Sequence, residues 1–174
     1  PMSLRFVIIG GGPAGTQAAT SAARLGAEVT LIERDIVGGA AHLWDCVPSK
    51  AMIATGGRLD AIEDSNGMGL RVTDAAVDLE AVRERIARIT DRLEHHNRTL
   101  LESQGVEIVR GTGRLLDDHT VVATTEDGDR TFTADAVMVS TGSRPRIPKW
   151  ASPDGDRVLT TRDSYPPKVL PEHV

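Results

Sequence analysis

One cysteine, Cys46, stands in 174 residues. No internal disulfide can therefore form, and the chain fits a reducing cytoplasm. Aromatic residues make up only 3% of it, which leaves Val, Ile, Leu and Ala to build the core. A basic surplus is also missing: the formal charge is -5 and the isoelectric point is near 5.5. That balance argues against a nucleic-acid binder, which would carry a basic face. No apolar run approaches the length of a membrane span, and the one at Phe6–Ile9 stops at glycine. The N-terminal apolar stretch is too short for a secretory signal. No metal site is expected. What is present, at 40% hydrophobic residues, suffices to bury a core without metals or disulfides. Pro1 ahead of Met2 reads as the remnant of an expression tag and is left out of the fold.

The patterning is that of an α/β chain. Arg5–Ile9 is a short β-branched run ending in glycines, the sign of a buried strand. Pro13–Leu25 is Ala-rich, with proline in its first turn and Gly26 just past its end, the usual asymmetry of a helix. Glu28–Glu33 is a second strand, so the first thirty-odd residues form a βαβ unit with a parallel sheet. Gly38 to Gly57 reads as a Gly-rich entry into a helix carrying Cys46 and Lys50, with Pro48 inside or at its start, and Asn66–Gly69 reads as loop. Asp78–Ser103 has the strongest helical signal: Leu79, Val82, Ile86, Ile89, Leu93, His96 and Leu100 recur at 3-4 spacing. It is expected to pack on its own domain, with His96 a packed and satisfied histidine. Val106–Arg110 is expected to return as a strand. Gly113–Leu116, Thr120–Thr124 and Arg130–Thr133, parted by Asp117-Asp118 and Asp127-Gly128, predict a three-stranded meander. Ala136–Ser140 suits a central parallel strand, and the Pro-rich stretch beyond Gly142 suits a connecting segment.

Gly10-Gly11-Gly12-Pro13-Ala14-Gly15 is a G-x-G-x-x-G set placed after a strand and opening a helix. Gly10 permits the tight turn, Gly12 lets the backbone approach a pyrophosphate, and Gly15 lets helix and strand pack closely. The helix N-terminus offers unpaired N–H groups to the phosphates. Glu33 closes the second strand about twenty residues on, where a carboxylate can accept from a ribose hydroxyl and disfavours a 2′-phosphate. These residues predict a dinucleotide site and leave open whether it takes NAD or FAD.

The next stretch, Gly38-Gly39-Ala40-Ala41-His42-Leu43-Trp44-Asp45-Cys46-Val47-Pro48-Ser49-Lys50, resembles the signature of the pyridine nucleotide–disulfide oxidoreductases, the family of dihydrolipoamide dehydrogenase and glutathione reductase. Ser140-Thr141-Gly142-Ser143-Arg144-Pro145 is close to that family's Ala-Thr-Gly stretch, and Gly111-Thr112-Gly113 matches a turn that touches the adenine end. The resemblance implies a Rossmann-like FAD-binding domain with a parallel sheet, a three-stranded β-meander and a long helical segment, truncated at its C-terminus. It implies a domain over residues 1–148, with its helical segment about 50–104 and meander about 112–134. Residues 149–174 would then be a connecting segment toward an NAD(P)-binding domain that is not in this sequence. Gly10, Gly12, Pro13, Ala14 and Gly15 would cradle the FAD pyrophosphate, and Glu33 with Arg34 the adenosine ribose. Gly39 and Ala40 would line the phosphate–ribitol path. Gly113 would lie toward the adenine, and Thr141 and Gly142 would close over the cofactor. Lys50 would sit near flavin N5 and Cys46 against the ring system, as the two catalytic residues.

Two departures from the family pattern matter. The other redox cysteine is replaced by Ala41, and dithiol chemistry needs a second thiolate to resolve a mixed disulfide. Asp45, where the family has a small residue, would make Cys46 a poorer thiolate if its carboxylate points that way. Family members are also more than twice this long, so NAD(P)H binding and dimer contacts would come from a longer parent. The variant resembles a branch of NAD(P)H:quinone reductases. The expected parent is thus a cytoplasmic, homodimeric flavoprotein that passes hydride from NAD(P)H through FAD to a quinone-like acceptor without a thiol relay. A non-catalytic FAD-binding module, for the chain by itself, and a transhydrogenase-like flavoprotein are the alternatives.

Overall fold

The computed structural model describes residues 3–171 and 173. Arg5–Ile9 forms β1, Pro13–Arg24 forms α1 and Glu28–Glu33 forms β2, so the expected βαβ unit is present. The short helix α2 spans Gly39–Leu43, α3 spans Cys46–Asp64 and α4 spans Leu79–Ser103. Then come β3 (Glu107–Arg110), β4 (Thr112–Leu115), β5 (Thr120–Thr125), β6 (Gly128–Thr133) and β7 (Ala136–Val139). Where the sequence reads as loop over Asn66–Gly69, a 3₁₀ turn at Ser65–Met68 closes α3 and ends at Gly69 in a left-handed conformation. After β7 the described residues carry no further helix or strand.

The chain divides into two compact units. One comprises the residues up to Leu43 together with Arg92–Ser143. Its parallel sheet runs β3-β2-β1-β7, and its antiparallel sheet runs β4-β5-β6. Alternation along the strands sorts the side chains onto two faces. Val7, Ile9, Ile32 and Val109 pack against Val121 and Ala123 of the antiparallel sheet and against Ala134. Ile8, Val29 and Leu31 point the other way, onto Ala19 of α1, Val37, Leu101 of α4 and Val106. Both faces of the parallel sheet are thus covered, which is why β1 reads as a continuous apolar run. Full burial of Ile8, Leu31 and Ile32 stabilises the unit by about 1.5–3 kcal/mol per side chain. At the opposite end of the strands from the glycine turn, Arg5 and Asp135 form a two-pronged ion pair, and the Arg5 N–H also donates to the Asp135 carboxylate at 2.9 Å.

The other unit comprises Trp44–Asp91 together with the residues from Arg144 on. Ala51 of α3 packs against Val82 and Ile86 of α4, with Met52, Val77 and Ile89 around them. The irregular C-terminal segment belongs to this unit, where Arg83 of α4 donates to the carbonyls of Pro167 (2.7 Å) and Lys168 (2.8 Å).

The α4 stripe differs from the expected one at its C-terminal end. His96 and Leu100 are exposed, whereas Leu101 is buried. The 3-4 spacing allowed either track. The helix runs through Asn97, half-buried, to Leu101 because that residue meets Leu31 and Val106.

Candidate functional site

The carboxyl ends of parallel strands are where open α/β sheets place ligands. Here those of β1, β2 and β7 gather the glycine turn, Glu33 and Ser140-Thr141-Gly142. The turn is held from several sides. Gly10 has φ +108°, a left-handed conformation that favours glycine, and a Cβ on it would collide with the carbonyl of Ser140. A Cβ on Gly15 would collide with the Gly10 carbonyl, so close packing of α1 on β1 requires glycine there. The Gly11 N–H donates to Glu33 Oε2 at 2.6 Å, and the Gly38 N–H donates to the Gly11 carbonyl at 2.8 Å.

Gly12 behaves differently. A Cβ on it would meet nothing within 4 Å. Gly12 is also the N-cap of α1, which has no side-chain cap and no acidic residue in its first turn. The amides at the start of a helix lack intrahelical acceptors. The head of α1 therefore offers donors and a partial positive charge beside open space, which fits a phosphate group. A dinucleotide pyrophosphate suits this donor set.

Glu33, expected to take a ribose, is engaged by the backbone around it. Besides Gly11 it accepts from the Asp35 N–H at 2.8 Å, through Oε1. Each carboxylate oxygen keeps a second lone pair for a hydroxyl donor. Arg34 pairs with Asp35 at 3.1 Å on the surface. Gly39 packs against Gly12, with a Cβ on it falling 2.9 Å from the Gly12 Cα, and Ala40 follows in α2. His42, on the same short helix, is half-buried, and that burial holds its imidazole below the usual range. Gly113 lies in β4 against the core, where a Cβ would come 2.9 Å from Ile9 Cγ2. Packing alone thus accounts for glycine at that position.

Cys46 and Lys50 belong to the second unit. They sit four residues apart in the first turns of α3, hence on one face, and both are exposed. Pro48 is buried between them in the first turn, where a missing N–H costs nothing. The Asp45 carboxylate is directed to the Arg162 guanidinium at 3.8 Å, and Arg162 also stacks on Trp44, 4.3 Å from the ring centroid. Sequence reading missed Arg162, since a pairing across so many residues leaves no local signal. It also missed the Ser140 hydroxyl, which donates to the Gly10 carbonyl at 2.8 Å. Its place beside Thr141-Gly142 was the available clue. Among the described residues no cluster of three or more His, Cys, Asp or Glu could hold a metal ion, and no helix is long and apolar enough to cross a membrane.

Comparison with known proteins identifies the family. The family model described as pyridine nucleotide-disulphide oxidoreductase matches residues 4–174. An NAD(P)H dehydrogenase (quinone) from Mycobacterium tuberculosis is 39% identical over 185 residues, covering 99% of this chain and 38% of that protein. A dihydrolipoyl dehydrogenase from Chlorobaculum parvum is 32% identical over 166 residues, covering 95% of this chain and 35% of the relative. The crystal structure of LpdA from Mycobacterium tuberculosis superposes with a TM-score of 0.84 at 38% identity, covering 93% of this chain and 37% of that one. The chain therefore spans 35–38% of the length of these curated relatives. Members of the family use FAD and NAD(P)H. The chain belongs to the pyridine nucleotide-disulphide oxidoreductase family, whose model matches it from β1 to beyond β7.

Proposed function

We propose that this chain is the FAD-binding part of a flavoprotein that passes hydride from NAD(P)H through FAD to a quinone-type acceptor without a redox disulfide. One observation carries the reading. Ala41 stands where the family has its first redox cysteine, so Cys46 has no second thiolate within the motif to resolve a mixed disulfide. The 39% identity to an NAD(P)H dehydrogenase (quinone) supports the same acceptor class.

When bound, FAD supplies the two-electron carrier, and the protein supplies binding, orientation and electrostatics. Gly10, Gly12, Pro13, Ala14 and Gly15 hold the pyrophosphate at the head of α1. Glu33 and Arg34 take the adenosine ribose, with Gly113 toward the adenine. Gly39 and Ala40 flank the ribitol path, and Thr141 and Gly142 close over it. Lys50 contributes a positive charge at the ring, and Cys46 lines it without forming a covalent adduct. The domain assignment, with residues 1–148 binding FAD and 149–174 leading onward, is part of this reading, as is a cytoplasmic, homodimeric parent.

Steady-state assays of the full-length parent test it. Reduction of a menadione-type quinone by NAD(P)H, with no turnover of an external disulfide, is the expected result. Disulfide reduction without quinone reduction would overturn it. The 174-residue polypeptide itself holds one dinucleotide fingerprint, Gly10–Gly15, which supports a second reading for the chain by itself, as a FAD-binding module. A flavin band that stays with the purified protein through gel filtration, and does not bleach on adding NAD(P)H, is the outcome that reading expects.

A further inference from the structure

The Gly10–Gly11 peptide is held at both ends by side chains from different strands. Its N–H donates to Glu33 at the end of β2, at 2.6 Å. Its carbonyl accepts from the Ser140 hydroxyl just past β7, at 2.8 Å. The same hydroxyl lies 3.3 Å from the Ile9 carbonyl, and the Ser140 N–H donates to that carbonyl at 2.8 Å. Ser140 is therefore anchored by its backbone before its side chain reaches the turn. Gly15, at the start of α1, packs against the same carbonyl.

A peptide clamped at its N–H and its C=O cannot rotate about its flanking bonds without breaking one of them. This clamp falls in a run of three glycines, the stretch of chain with the most conformational freedom to lose. The plane of the Gly10–Gly11 peptide sets the path into Gly12 and the head of α1, where the open space lies. We infer that Ser140 is a positioning residue of the phosphate-binding turn, and that its hydroxyl, with the Glu33 carboxylate, presets the Gly10–Gly11 peptide for a dinucleotide diphosphate. A preset turn binds more tightly because less ordering is left to meet on association. The inference rests on the reading of this turn as an FAD site.

Equilibrium FAD titration of the 174-residue chain, followed by flavin fluorescence, tests it with Ser140→Ala and Ser140→Thr. The alanine variant keeps the backbone bond to Ile9 and only removes an oxygen, so the strand pairing stays intact. Its dissociation constant for FAD should rise about three- to tenfold, the worth of one hydrogen bond, while threonine, which keeps the hydroxyl, restores tight binding. A purely structural role would lower the melting midpoint and leave the dissociation constant of the folded protein unchanged. An alanine variant that binds FAD like the wild type overturns the proposal, as does equal weakening by alanine and threonine. If the wild-type chain takes up no FAD, its reading as an FAD-binding module by itself falls, and the proposal for this turn with it.

Discussion

A methyl group added at Gly12 and one added at Gly15 have opposite consequences. At Gly15 it strikes the backbone carbonyl of Gly10, and neither partner can yield, because α1 and β1 are packed there. Gly15→Ala should destabilise the protein by about 3 kcal/mol, the upper range for overpacking. At Gly12 the backbone has φ -70°, which any residue adopts, and the methyl meets nothing. Gly12→Ala should change stability by less than about 1 kcal/mol. It should nonetheless weaken FAD binding by about tenfold or more, since it fills the space proposed for the phosphate. Urea unfolding and FAD titration of both variants check this pair. A second residue-scale prediction concerns Asp135, whose carboxyl is lowered from 3.8 to about 2, chiefly by the side-chain hydrogen bond from Arg5. The folded-state value lies below the unfolded one, so the stability it contributes is present above about pH 4 and is lost as pH falls toward 2. Denaturant midpoints at pH 5 and pH 2.5 should therefore differ less in Asp135→Asn than in the wild type. Asp117 and Asp154 are lowered too, by backbone N–H donors, but they remain in both proteins and cancel in the comparison.

At the scale of elements, the sequence showed what depends on neighbours in the chain and hid what depends on distant partners. β1, α1 and β2 were legible because short β-branched runs, a proline in the first helical turn and a closing glycine are local signals. The glycine turn and Glu33 were legible for the same reason, since the βαβ unit fixes both in one short stretch. The meander came through because its Asp-rich turns punctuate it. The last turns of α4 did not. Leu100 and Leu101 are chemically equal candidates in sequence, and only the position of Leu31 and Val106 selects the second. This choice is measurable. Leu101→Ala should cost about 2–5 kcal/mol, the range for an apolar side chain removed from a packed core. His96→Ala should stay within about 0.5 kcal/mol, because the side chain stands in solvent. Chemical denaturation of the two variants decides between the tracks, and a large loss at His96 would favour the stripe first read from spacing.

For the whole molecule, the question is whether the lone thiol takes part in turnover. In a dithiol enzyme one sulfur receives electrons from the flavin side and the other exchanges with the substrate, so loss of either stops the reaction. Ala41 removes that arrangement from this chain, and the Asp45 carboxylate beside Cys46 is directed toward Arg162. Neither feature provides a partner for a covalent thiol step. Cys46 is left as a small, exposed side chain on the α3 face it shares with Lys50. In the full-length parent, Cys46→Ser should therefore slow quinone reduction by less than about tenfold, under about 1.4 kcal/mol in the barrier. Lys50→Met should slow it more, because it removes the positive charge proposed to stabilise the reduced ring. Stopped-flow reduction by NAD(P)H followed by reoxidation with menadione separates the two half-reactions. If Cys46→Ser abolished reoxidation while leaving reduction intact, electrons would have to leave through sulfur, and the direct flavin-to-quinone route would be wrong.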